Sequence, residues 1–402
     1  MTEFVVNLSA GQQMAAIPGP SIIPQRVLEA MARPMTDLYD GPVIGVSNDL
    51  RAALPVLAGT EGEVFIVTSN GHGAWQMATS NTLSRGDKVL VLESGRFASF
   101  WGQYTGVSDV DVEFLPGTLR DPIDPAALQS RLEADVDRQI KAILCVHVDT
   151  ASSVRNDIPA LRAAIDAVDH PALLMVDCIA SMGCEEFLMD DWGVDVALAG
   201  CQKGLMVPPG VAFVWAGPRA LEANKTADLR VGYFDWAERL SAASQYHYFA
   251  GTPPMAHLFA LHVAFQMVEE EGGWAKVWQR HTALADGVRA AVDAWAHSEG
   301  FEFNIGAAEH RANCVTTIRT NSIDAEELRR RCDQDAGLVL GLGLADIPGF
   351  RLAHMGHLNP PMLLGAIGTI EAVLVAMDAP MGASGVAAAA TSMGHALRNR
   401  DS

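Results

Sequence analysis

Ala172-Leu173-Leu174-Met175-Val176-Asp177, followed downstream by Gly200-Cys201-Gln202-Lys203-Gly204, decides the reading of this chain. A run that is apolar on both faces and ends in an aspartate reads as a buried parallel strand. Its carboxylate then stands at the carboxyl edge of the sheet, where open α/β folds bind ligands. Val194 to Ala199 is a second such run, and it delivers Lys203 to the same edge. Gly200, Gly204 and Pro208-Pro209 make an apolar, conformationally specialised loop around that lysine. Desolvation there lowers an amine's pKa and frees it as a nucleophile. Taken singly, each residue reads more readily as a surface lysine or as an aspartate capping a turn.

A third feature tips the balance. Thr68-Ser69-Asn70-Gly71-His72-Gly73-Ala74-Trp75 follows the apolar run 64–68 and opens a helical stretch to about Leu83. Backbone N–H groups at a helix start, with glycines permitting close approach, make an anion site. His72 either touches that anion or caps the helix. Lysine, aspartate and an anion loop at one sheet edge are what pyridoxal phosphate requires. The amine bonds the carbonyl carbon, and the carboxylate keeps the pyridine nitrogen protonated so that the ring accepts electrons.

Outward from these motifs, Lys88 to Leu92, Lys141 to Val148 and Gly210 to Trp215 also read as buried strands alternating with amphipathic stretches. The pattern predicts a largely parallel α/β sheet covered on both sides. Pro24 to Arg33 reads as a short helix. Long helices are expected over Ala256 to Glu271 and Trp274 to Ala296, where the alternation changes character. Asn313 to Arg319, Asp324 to Asp335 and Gly349 to Ala353 then alternate strand, helix and strand, as in a smaller α+β unit. The expected division is an arm at 1–16, a large domain at 17–255, connecting helices at 256–285, a small domain at 286–378, and a fraying Ala/Gly/Ser-rich tail at 379–402.

At 402 residues the chain exceeds one small core, and with 49% hydrophobic and 19% charged residues it is globular in composition. Its 28 basic and 48 acidic residues leave a net charge of −20, which disfavours nucleic acid and anionic membranes as partners. Six scattered cysteines without a CxxC pair, a start lacking signal-peptide character and no ~20-residue apolar run predict a cytoplasmic protein with reduced thiols. No metal is expected.

Pro18-Gly19-Pro20-Ser21, the Ser-Asn-Gly-His-Gly loop, Val176-Asp177 with Ala180-Ser181, and Gln202-Lys203-Gly204 with Pro208-Pro209-Gly210 resemble the class V, fold-type I aminotransferases. The resemblance is to the alanine/serine–glyoxylate branch, and it spans roughly residues 17–375. It implies a fold-type I architecture, with a large, mainly parallel seven-stranded sheet covered by helices and a smaller C-terminal α+β domain. It also implies pyridoxal 5'-phosphate as cofactor, with Lys203 as Schiff-base lysine and proton shuttle and Asp177 on the pyridinium nitrogen. Asn70, Gly71, His72 and Gln202 match phosphate-binding positions. Phe97 matches the aromatic stacked on the ring, and Thr150 the hydroxyl on the phenolic oxygen. Thr252 matches a phosphate contact donated by a second subunit, which implies a homodimer. Arg351 matches the arginine that grips the substrate α-carboxylate.

Three positions depart from that pattern. Ser153 stands where the family has glycine, and Phe249 where a tyrosine usually precedes the cross-subunit threonine. Asp37-Leu38-Tyr39-Asp40 replaces a His-Arg pair near the substrate entry, which brings Tyr39 in as a substrate-side candidate and resembles the pyridoxamine–pyruvate aminotransferases. The expected activity is ping-pong transfer from serine, alanine or aspartate to glyoxylate or pyruvate. Alternatives are a pyridoxamine–pyruvate-type enzyme, a class V lyase or cysteine desulfurase using Cys201 or Cys314, and a non-catalytic binding protein. A β-carboxylate donor would want a second cation, with Arg96 and His354 as the candidates.

Overall fold

A computed structural model describes residues 7–297, 300–344 and 347–398. In chain order its strands are β1 (Met14–Ala16), β2 (Glu63–Ser69), β3 (Lys88–Glu93), β4 (Asp111–Pro116) and β5 (Ile140–Val146). A small hairpin follows, β6 (Val148–Asp149) with β7 (Val154–Arg155), then β8 (Leu173–Asp177), β9 (Val196–Gly200) and β10 (Gly210–Ala216). The later part of the chain adds β11 (Phe301–Phe303), β12 (Val315–Thr320), β13 (Leu338–Leu342) and β14 (Gly349–Ala353).

Seven strands form one sheet in the order β2-β10-β9-β8-β5-β3-β4, parallel except for β10, which runs against both of its neighbours. Because side chains alternate along a strand, the apolar runs feed two cores at once. Val64, Ile66, Leu90 and Leu92 face one side, while Phe65, Val67, Val89 and Val91 face the other. The alternation of strand and helix thus yields an α/β layer buried on both faces. The other sheet has the order β1-β13-β14-β12-β11 and is antiparallel apart from the β1–β13 pair.

The helix Trp274–Trp295 belongs to two cores, with Trp274 and Val277 in the core of the large sheet and Leu284 onward in that of the small one. Two expectations about the ends of the chain are corrected. Within the 1–16 arm, Met14–Ala16 is a strand, paired residue for residue with Leu338–Leu340 of the small sheet, while residues 1–6 lie outside the described residues. The tail expected to fray instead forms a helix, Gly385–Arg398, with Ala389 and Met393 buried; residues 399–402 lie outside the described residues. Small side chains give that segment a weak hydrophobic signal but let it lie close against the 274–295 helix, where Met393 packs over Gly287.

Candidate active site

Loops at the carboxyl edge of the large sheet bring their side chains to a common pocket. β2 leads into Asn70, which caps the helix Gly71–Thr82 by accepting from the His72 and Gly73 N–H groups at 3.0 and 3.4 Å. β3 leads to Phe97 at the start of the helix Arg96–Gly106, and β5 leads to Thr150. β8 ends in Asp177, and β9 leads to Gln202 and Lys203. Asn70, Gly71, His72, Phe97, Thr150, Asp177, Gln202 and Lys203 line one cavity of about 190 Å³.

Asp177 is buried. Its Oδ1 accepts from the Ile179 N–H, and its Oδ2 from the Trp75 indole N–H, each at 2.7 Å. Burial pushes its carboxyl up to about 7, against the pull of those two donors and of the Lys203 charge. Trp75 is itself buried, stacked between His72 at 4.3 Å and Trp101 at 6.1 Å between ring centroids. One helix therefore carries the anion-loop residues at its start and the Asp177 anchor one turn later.

Burial lowers the Lys203 amine to about 8, and the Arg351 guanidinium adds to that shift. Its Nζ donates to the Pro18 carbonyl. The chain can pass that close only because residue 19 is glycine. A Cβ there would lie 2.6 Å from both Cδ and Cε of Lys203, and its φ of +101° is strained for any other residue.

Arg351 reaches out of β14 toward the large domain, its Nε donating to the Leu342 carbonyl at 2.7 Å and its Nη1 to the Thr150 carbonyl at 2.9 Å. Burial brings its guanidinium down to about 10. It borders the pocket through Thr150 without lining it. Two other candidates lie away from the pocket in this single chain. Tyr39 is 68% exposed and leans on Tyr246, and Thr252 is exposed in the turn before the helix Met255–Glu271.

His354 is fully buried, bonded to Thr316 Oγ1 at 3.0 Å and to the Asn313 carbonyl at 2.9 Å, and burial drives it down to about 3. It is a neutral packing residue. All six cysteines are buried; Cys201 is pushed up to about 11 and Cys314 well above the ordinary thiol value, a poor setting for persulfide chemistry. Sequence reasoning missed Trp75 as the partner of Asp177. The available signal was a tryptophan one helical turn beyond the anion loop.

The fold is shared with solved structures. The ureidoglycine–glyoxylate aminotransferase of Bacillus subtilis superposes with a TM-score of 0.85 at 22% identity, covering 98% of this chain and 100% of that one. Pyridoxamine–pyruvate aminotransferase of Mesorhizobium loti gives 0.85 at 23% identity, covering 98% and 99%. At such identities the likeness concerns the fold. Among curated relatives, the L-aspartate–glyoxylate aminotransferase of Paracoccus denitrificans is 37% identical over 381 residues, which is 93% of this chain and 94% of that one. The serine–glyoxylate aminotransferase of Arabidopsis thaliana is 37% identical over 392 residues, 96% of each. The class-V aminotransferase family profile matches residues 17–345. The chain belongs to that family and is an aminotransferase.

Proposed function

We propose that this chain moves an amino group from a small amino acid to glyoxylate or pyruvate, using pyridoxal 5'-phosphate held in the Lys203 pocket. The reading rests on one observation: Lys203, its amine lowered to about 8 by burial, lines the same cavity as the buried carboxyl of Asp177. The pocket suits such a cofactor in two further respects. Asp177 has no ion-pair partner among the described residues, and Gln202 Oε1 is buried without a hydrogen-bond partner, an unsatisfied amide of the kind a ligand's polar group completes. The named relatives support glyoxylate as acceptor.

When bound, pyridoxal phosphate supplies an aldehyde carbon that stores the amino group and a ring that accepts electrons. Lys203 would hold it and, once released, take the proton from the substrate α-carbon and return it. An amine near 8 suits both tasks, being easily charged and discharged near neutral pH. Asp177, fixed by Trp75 and Ile179, would keep a proton on the ring nitrogen. Asn70, Gly71, His72 and Gln202 would hold the phosphate, Phe97 the ring face and Thr150 the phenolic oxygen. Arg351 would orient the α-carboxylate, with Tyr39 on the substrate side. Thr252, exposed here, supports a homodimer in which it reaches the phosphate of the other subunit. A cytoplasmic location belongs to the same proposal; among the described residues no helix is long and apolar enough to cross a membrane.

The test is absorbance of the purified protein with single amino acids, then with glyoxylate or pyruvate. A visible band that one donor bleaches and one acceptor restores, and that Lys203→Ala lacks, is the expected result. A protein that shows no band after incubation with pyridoxal phosphate refutes the proposal.

A further inference from the structure

Next to the Lys203 pocket lies a larger cavity of about 440 Å³, lined by Glu93, Arg96, Phe100, Ala151, Leu344 and Ile347 among others. The two cavities share a wall. Asp149 is fully buried and accepts from the Phe97 N–H at 2.7 Å, the Ala98 N–H at 3.3 Å and the Ala151 N–H at 2.9 Å. It thereby ties the start of the helix Arg96–Gly106 to the Thr150-Ala151 loop. Phe97 and Thr150 face the first cavity; their neighbours Arg96 and Ala151 face the second. Arg351 donates to the Thr150 carbonyl on the same wall, near enough for its charge and that of Arg96 to repel.

Arg96 is exposed and makes no ion pair or hydrogen bond among the described residues. Its guanidinium is steadied by the Phe100 ring, 4.8 Å from the centroid. Glu93, the one carboxylate lining this cavity among the described residues, accepts from Ser99 Oγ at 2.9 Å. His354, the other candidate cation, is buried and neutral. The chamber is also far larger than the side chain of alanine or serine requires.

We propose that the 440 Å³ cavity is the side-chain subsite of the amino donor and that Arg96 receives a distal carboxylate there, so the preferred donor is a dicarboxylic amino acid such as aspartate. Arg351 and Arg96, both beside the 149–151 loop, then take the two carboxylates of one substrate. The inference rests on the amino-transfer reading above, and specifically on Arg351 as the α-carboxylate partner.

Two readouts test it on the protein as purified. The first is the ratio of kcat/KM for aspartate to that for alanine, with glyoxylate as acceptor. Loss of one charged hydrogen-bond partner predicts that Arg96→Gln lowers this ratio by about 10- to 100-fold, with partial recovery in Arg96→Lys. The second is calorimetric binding of succinate and propionate, neither of which reacts. Arg96→Gln should weaken succinate by a similar factor and leave propionate within about threefold. An unchanged ratio together with unchanged succinate binding overturns the subsite, as does a wild-type preference for donors with long apolar side chains, which would make the chamber a hydrophobic one. Activity with no amino acid at all, while succinate still distinguishes wild type from Arg96→Gln, would fail the amino-transfer reading and leave the Arg96 site standing.

Discussion

In the absence of cofactor, Asp177 should cost this protein stability, and the cost should depend on pH in a defined direction. Burial raises its carboxyl from 3.8 to about 7. At ~1.36 kcal/mol per pH unit, that rise amounts to roughly 4 kcal/mol between charged and neutral forms. In the unfolded chain the group loses its proton near pH 4, whereas in the folded chain it keeps it to about 7. Between those values the folded state binds more protons, so stability falls as pH rises and levels off above the folded value. Asp177→Asn has no such titration. Its amide nitrogen must face either the Trp75 or the Ile179 donor, and that mismatch costs ~1–3 kcal/mol at every pH. The offset shifts the variant's curve without tilting it. Urea unfolding of both cofactor-free proteins from pH 4 to 8 should give a stability difference, variant minus wild type, that rises by about 4 kcal/mol across the range. Other titrating groups are common to both proteins and largely cancel. A flat difference, or one that falls with pH, would refute the argument that Asp177 is held as an uncompensated buried acid awaiting a cationic partner.

Other perturbations read neighbouring parts of the site. Trp75→Phe removes a 2.7 Å bond to a charged acceptor; a loss of ~1.5–3 kcal/mol predicts a kcat/KM about 10- to 100-fold lower, and the fall of stability with pH should extend to higher pH because Asp177 loses a donor. With its amine near 8, Lys203 should be labelled by an amine-reactive reagent in the cofactor-free protein with a rate that climbs through pH 8, well before an ordinary lysine near 10.5, as read by peptide mass spectrometry. Gly19→Ala pushes a methyl into Lys203 and strains a backbone at φ +101°, a cost of ~1–3 kcal/mol from the backbone alone. Borohydride trapping of pyridoxal phosphate on Lys203 should drop at least tenfold at limiting cofactor, while trapping equal to wild type would show that the Pro18–Gly19 passage does not constrain the lysine.

The parts of this site legible in the sequence are those written along single strands. β8 is apolar on both faces and stops at Asp177, so its burial and the position of its carboxylate can be read together. What escaped depends on pairs far apart in the chain. Trp75 meets Asp177 across 102 positions, and the Arg96 cavity is lined by Gly95, Thr118, Ala151 and Leu344, which no local pattern links. Three residues of β1 are too short to carry a period, and their strand identity comes entirely from pairing with β13. The terminal helix was hidden for a different reason. Alanine and glycine contribute little apolar area, yet they permit the close approach by which Met393 reaches Gly287.

Strand direction is the instructive case, because the hydrophobic pattern carries no information about it. β9 and β10 are equally buried on both faces, and a parallel sheet was the natural expectation for such runs. Connection length does carry the information. Only residues 201–209 join Gly200 to Gly210, whereas a parallel return needs a crossover of about a dozen residues or more, usually a helix. β10 must therefore run back antiparallel beside β9, as it does. The same constraint keeps Lys203 at the sheet edge: the loop that carries it is too short to leave the rim, and it turns back at Pro208-Pro209 directly into the neighbouring strand. The position of the lysine and the reversal of β10 thus have one cause, a nine-residue connection between two buried strands.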